Sequence, residues 1–332
     1  MNASFGFEPD IHSLSLGLAC IFGLASAEQI TVTARERNPY TSGSLSEIVS
    51  VTVAGGCRLE LLIKYSRPPR TNGAAKGLEN GFVTGPWSDV PYEAEVYRKV
   101  LEPLQTSAPK FYGTYREPNS GRLWLVLEYL QDAVPMDELV EDSNITLAAR
   151  WLGEFHAAAD SHASLAYKPF LKQIDREHYL ISSRRAMERA LAPQSSCFWL
   201  TDLCRGFDNF IASIWPMRTT LTHGDFYQNN ILFRGGEIHP VDWEHAAIDL
   251  GEMDLACLTY GWTEDVRLQC EFEYQNSRWP KGTPGDFETV MNLARLRLCV
   301  EEVGTLPPSI EECEHLAFFE TMHSLGECLG LI

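Results

Sequence analysis

Three runs near the start of the chain, ITVTARE from Ile30, EIVSVTV from Glu47 and RLELLIK from Arg58, are rich in β-branched and apolar residues and predict strands. The turn Ala54-Gly55-Gly56 joins the last two into a meander. In RLELLIK, Leu59, Leu61 and Ile63 fall on one face and Arg58, Glu60, Leu62 and Lys64 on the other, so Lys64 points away from the more apolar face. The Gly-, Pro- and Asn-rich stretch from Ser66 to Val90 predicts a long irregular loop. After it, EAEVYRKVLEPL places Val96, Val100, Leu101 and Leu104 at helical spacing. KFYGTYRE and RLWLVLEYL predict two more strands around Asn119-Ser120-Gly121. Beyond Gln131 the pattern is mainly helical, with LAARWLGEFHAAA the clearest case, and His156 is expected to pack in that helical core.

Near the N-terminus, SLSLGLACIFGLASA is an apolar run ending in Ala25-Ser26-Ala27, as a secretion leader would. No Lys or Arg occurs before Arg35, so the positive region of a leader is missing, and a buried or amphipathic helix is expected instead. No apolar run reaches the roughly 20 residues that span a bilayer, so no membrane partner is expected. The net charge of -18 argues against a sequence-independent nucleic-acid binder and suits neutral or cationic small molecules. Nine cysteines without a CxxC pair show neither a zinc pattern nor a disulfide framework, which points to a reducing, cytoplasmic setting.

The stretch LTHGDFYQNNILFRGGEIHPVDWEHA, Leu221 to Ala246, concentrates the candidate chemistry. ILFR and EIHP predict a hairpin turned by Gly235-Gly236. Counting back from that turn sets Asn230 opposite Val241, so Asp242 emerges beside Asn230, at the end of the ribbon that also carries Asp225. A carboxylate and an amide oxygen are hard ligands suited to Mg²⁺ shared with nucleotide phosphates, which makes Asn230 and Asp242 candidate metal ligands. Asp225 is then free to accept the proton of an attacking hydroxyl. Between the first two strands, Ser42, Gly43, Ser44 and Ser46 could let backbone N–H groups approach phosphate.

HGDFYQNN followed by VDWEHAAIDLGEMDLA resembles the aminoglycoside phosphotransferase and choline kinase family. The resemblance implies an α+β, bilobal protein-kinase-like fold: a small β-rich N-terminal lobe over residues 1–130 and a larger, mainly helical, catalytic and acceptor-binding lobe over 131–332. It implies ATP and Mg²⁺ as cofactors, Asp225 as catalytic base, and Asn230 and Asp242 as metal ligands. His223 and Asp254 would support the catalytic loop, the former through a backbone hydrogen bond, and Trp243 stands where protein kinases carry the Phe of D-F-G. Upstream, Lys64 matches the lysine that holds phosphates and Glu93 the helix glutamate that orients it, with Glu95 the rival on another face. EYL, Glu128 to Leu130, matches the hinge that pairs with adenine, with Leu127 in the gatekeeper position. SGSLS is poorer in glycine than a protein kinase's phosphate loop.

The expected activity is transfer of the γ-phosphoryl group of ATP to a hydroxyl of a small molecule, neutral or cationic, such as an aminoglycoside, an amino sugar or another alcohol. A protein kinase fits less well, because about a dozen residues separate Asp242 from Asp254 and no A-P-E follows. The alternative from another class is a catalytically inactive nucleotide-binding or scaffold protein of the same fold. The acceptor itself and the oligomeric state stay open. The acidic positions Glu271 to Gln275 and Glu311-Glu312 are expected on solvated helix faces, and Trp262 and Trp279 in packing.

Overall fold

The computed structural model describes residues 9–39, 45–66, 90–139, 142–162, 169–190, 198–305 and 316–332. Ser42, Gly43 and Ser44 lie outside these residues, as do Glu311, Glu312 and nearly all of the long loop expected from Ser66 to Val90. The chain divides into two units, residues 1–78, 83–134 and 232–245 forming one, and residues 79–82, 135–231 and 246–332 the other.

The first unit is built on a five-stranded antiparallel sheet of order β1-β2-β3-β5-β4, from β1 (Ile30–Arg37), β2 (Leu45–Val53), β3 (Cys57–Tyr65), β4 (Phe111–Arg116) and β5 (Leu123–Glu128). Strand alternation sends Leu61, Ile63 and Tyr65 to one face, where they join Val49, Val51, Trp124 and Val126. Helix α1 (Ile11–Ile21) closes that face with Leu14 and Leu18, and its first turn is capped by Asp10, whose Oδ1 accepts the Ser13 N–H at 2.8 Å. The apolar N-terminal run is therefore a core helix. Each fully buried leucine contributes about 1.5–3 kcal/mol relative to exposure.

The opposite face of the sheet carries Lys64, with Ser46 and Leu125 directly across from it on the neighbouring strands and Leu127 two residues along. Helix α2 (Val90–Val96) continues into a π-helical turn (Tyr97–Leu101) and a last turn, α3 (Glu102–Leu104). Pro103, which has no N–H to give to the preceding turn, stands at the end of the widened segment. After β6 (Val134–Pro135) the chain enters the second unit, and it returns to the first in the hairpin of β9 (Ile231–Arg234) and β10 (Glu237–Pro240). Gly235 and Gly236 have φ of 61° and 91°, the positive pair that a two-residue hairpin turn requires.

The second unit is mainly helical. Helix α4 (Asp142–Ser161) packs along α8 (Glu264–Arg278); α5 (Arg176–Ala190) packs against α6 (Phe198–Ile214) and α9 (Phe287–Thr305), and α9 also meets α7 (Gly251–Leu258) and α10 (Leu316–Cys328). A small sheet of β7 (Lys172–Gln173), β11 (Ala247–Asp249) and β8 (Thr220–Thr222) runs through the unit in the order β7-β11-β8. The strand β8 leads directly into His223-Gly224-Asp225, so this sheet sets where that loop starts. Among the described residues no helix is long and apolar enough to cross a membrane, and the described cysteines are all free.

Candidate active site

In the first unit, the polar face of β3 meets α2 and the turn that follows β10. Lys64 Nζ donates to both carboxylate oxygens of Glu93, at 2.8 and 2.9 Å, and to Asp242 Oδ1 at 2.7 Å. Glu95, two residues further along the helix, pairs instead with Arg98 and Lys99 on the outside. The helical period thus admits one partner for the lysine, and that partner is Glu93. Burial opposes charge in this cluster. Desolvation pulls the Lys64 ammonium down, but Glu93 and Asp242 outweigh it and hold the amine charged. Burial pushes the Glu93 carboxyl up, to about 7, against the pull of Lys64.

Asp242 has φ of 67°, a left-handed conformation that a non-glycine residue adopts at a cost of about 1–2 kcal/mol. The next residue holds it there. Trp243 is fully buried, its Nε1 donates to the Pro240 carbonyl at 3.1 Å, and the turn Trp243–His245 packs against α2. The backbone strain is thereby balanced by an aromatic anchor, a pattern common where a side chain must be aimed.

In the second unit, the loop after β8 is tied at three points. Asp254, buried at the middle of α7, accepts the Gly224 N–H on Oδ1 at 2.9 Å and the His223 N–H on Oδ2 at 2.7 Å. The His223 ring is buried, and its Nδ1 accepts the Asp225 N–H at 3.3 Å, so that the loop's own histidine fixes the next backbone step. Asn230 then closes the loop: its Nδ2 donates to the Asp225 carbonyl at 2.9 Å and to Asp225 Oδ2 at 2.7 Å. With its amide nitrogen committed to Asp225, Asn230 keeps its Oδ1 as an acceptor, to which Asn229 Nδ2 donates at 3.4 Å. Desolvation raises the Asp254 carboxyl to about 6, against the charge of His223 and the backbone N–H groups of His223 and Gly224, which favour its ionised form.

The remaining sequence candidates spread along the sheet. Ser46 lies within β2, buried, with its hydroxyl accepting from Asn38 Nδ2 at 3.1 Å. Leu127 is buried in β5 on the face of Lys64. The N–H groups of Glu128 and Tyr129 are spent on the carbonyls of Lys110 and Glu60, so among the described residues Leu130 is the one residue of EYL whose N–H no backbone carbonyl engages. The Glu128 side chain pairs with Arg234 at 3.4 Å. The stretch from Glu271 to Gln275 is only partly solvated, against expectation: Tyr274 is fully buried, Glu271 is mostly covered and pairs with Arg295, and Glu273 pairs with Arg150 nearer the surface.

His156 is buried as expected, yet it does more than pack: its Nε2 lies 3.3 Å from Asp254 Oδ2 and its Nδ1 2.9 Å from the Tyr274 hydroxyl. The signal available in the sequence was a polar ring within an apolar helical stripe, since a buried imidazole needs partners for both nitrogens.

A model of the phosphotransferase enzyme family (APH) matches residues 87–277. No curated protein sequence matches the chain. The fold is similar to that of choline kinase from Cryptosporidium parvum Iowa II, at 12% identity over 96% of this chain and 97% of that one, with a TM-score of 0.60. It is also similar to aminoglycoside 2'-phosphotransferase-IIIa in its GDP complex, at 11% identity over 96% and 99% of the two chains, with a TM-score of 0.59. Amicoumacin kinase hAmiN, in complex with AMP-PNP, Ca²⁺ and Ami, matches at 12% identity over 90% and 88%, with a TM-score of 0.57. These likenesses show the protein-kinase-like fold, an N-terminal antiparallel sheet followed by a mainly helical part.

Proposed function

The chain belongs to the phosphotransferase enzyme family of small-molecule kinases, and from that premise we propose that it moves the γ-phosphoryl group of ATP to a hydroxyl of a small neutral or cationic molecule. The observation that carries this reading is the Asp225 carboxylate oriented by Asn230 in a loop tied down by Asp254. Phosphoryl transfer asks the protein to position oxygens and neutralise charge more than to form covalent bonds. Asp225 accepts the proton of the acceptor hydroxyl at the moment that oxygen attacks. Lys64, steered by Glu93, holds nucleotide phosphates, and the N–H of Leu130 pairs with the base.

The donors fit a divalent metal by their chemistry: Asn230 Oδ1 in one unit and the Asp242 carboxylate in the other are each hard oxygens, suited to an ion that takes its further oxygens from phosphates. Mg²⁺ bound there would supply charge neutralisation across the transferred group. The inactive-scaffold reading would be favoured by loss of the base, a metal ligand or the lysine, and this chain keeps all of them.

The test is a nucleotide titration with and without Mg²⁺, followed by acceptor-dependent ADP release over a library of hydroxylated, amine-bearing and neutral metabolites. ATP binding without ADP release on any acceptor, unchanged by Asp225→Ala, would return the protein to the scaffold reading.

A further inference from the structure

One buried polar chain begins at the C-terminal end of α8. Tyr274 and Arg278 sit one turn apart on that helix, His156 faces them from α4, and Asp254 completes the series from α7. All four are buried. The two ends set the direction of every bond between them, because a guanidinium only donates and an ionised carboxylate only accepts. Arg278 Nη1 donates to the Tyr274 hydroxyl oxygen. Tyr274 then donates its O–H in a hydrogen bond to His156 Nδ1 at 2.9 Å, and His156 carries its proton on Nε2, facing Asp254 Oδ2 at 3.3 Å. Burial pushes the imidazole well below its ordinary pKa, and the charge of Arg278 acts in the same direction, so the ring stays neutral and the chain keeps one polarity.

The space for this chain depends on Gly251. A Cβ there would run into Arg278 Nη1 and lie 2.8 Å from both His156 Nδ1 and the Tyr274 hydroxyl. Helix α7 can begin over the chain only with a residue that lacks a side chain, and that helix carries Asp254 one turn on.

We propose that Tyr274 and Arg278 are positioning residues for the catalytic loop: by holding His156 as its Nε2–H tautomer, they fix the Asp254 carboxylate that grips the two amides immediately before Asp225. The proposal rests on the reading of Asp225 as the base. Removing the Tyr274 hydroxyl leaves His156 Nδ1 without a donor. The ring can then move its proton to Nδ1, which turns the Nε2 lone pair against Asp254 and repels the carboxylate from its place. A loop displaced by about 1 Å can cost about 10²-fold in rate.

Arg278 also faces the exposed Asp160 at 3.4 Å and the buried Glu252 at 3.8 Å, so deleting its charge would take a cation away from a buried carboxylate. Tyr274→Phe avoids that, since it removes one oxygen and keeps the ring. The measurements are ¹⁵N spectra of the His156 imidazole, the amide shifts of His223 and Gly224, and the kcat and KM for MgATP with water or any active alcohol as acceptor. The expected result is loss of the Nε2–H signature, movement of both amides, and kcat lowered about 10- to 100-fold with KM for ATP within about twofold. Unmoved His156 and loop signals in Tyr274→Phe overturn the proposal whatever happens to turnover. So does full turnover in a protein where Asp225→Ala abolishes it. If Asp225→Ala leaves turnover intact, the assignment of the base fails, and the proposed control of the loop is judged by the two sets of spectra alone.

Discussion

Lys64 has three N–H donors, and in this structure all three are engaged, two by Glu93 and one by Asp242. A phosphate oxygen can therefore reach the amine only by taking over one of these bonds. If Asp242 is a metal ligand as proposed, it is the partner to yield, because a bound ion would compete for the same carboxylate. Asp242→Asn is the sharper probe of that exchange than alanine, since asparagine tolerates the left-handed backbone that Asp242 adopts at φ 67°. The substitution should weaken Mg²⁺-dependent ATP binding while leaving metal-free binding nearly unchanged; an identical Mg²⁺ response in both proteins would remove Asp242 from the metal site. Lys64 and Glu93 should behave as one unit. In a double-mutant cycle on kcat/KM, Lys64→Ala and Glu93→Ala should show a coupling of about 0.5–3 kcal/mol. Glu95→Ala, which alters a surface pair with Arg98 and Lys99, should couple to neither.

At the scale of elements, the sheet of the first unit separates stability from chemistry by its two-residue period. One face of β3 packs Leu61 and Ile63 under α1, and the other presents Lys64 to Glu93. A change beneath α1 should consequently affect folding before it affects the reaction. Leu18→Ala, at a fully buried position, should lower stability by about 2–5 kcal/mol in chemical denaturation, with KM for ATP unchanged in the folded protein. A large rise in KM with unchanged stability would show that α1 acts on the face that carries Lys64. The helical unit follows a different logic. There, α4, α7 and α8 bury polar groups along with apolar ones, and the loop after β8 takes its shape from Asp254 and His156.

For the whole molecule, the net charge of -18 is the feature that acts at a distance. Attraction of a cationic acceptor weakens as the Debye length falls, from about 10 Å at 0.1 M to about 3 Å at 1 M salt. Raising ionic strength should increase KM for such an acceptor more than it lowers kcat, as measured by steady-state ADP release; a multiply charged anion as best acceptor would overturn the argument. The sequence by itself determined the strands, the face on which Lys64 stands and the Gly235-Gly236 hairpin, because each follows from a short-range period or a local demand on φ. Its motif was also enough to place the chain among small-molecule kinases. The motif also pointed to Glu93 over Glu95 as the partner of Lys64, and the structure has that pair. Only the tertiary structure decided that Asp242, 178 residues away, joins them, and that His156 serves Asp254 and Tyr274, 98 and 118 residues along the chain. Periodicity tells which side of an element a residue occupies, but the partner of a buried polar group is chosen by packing, which brings together residues that share no local pattern.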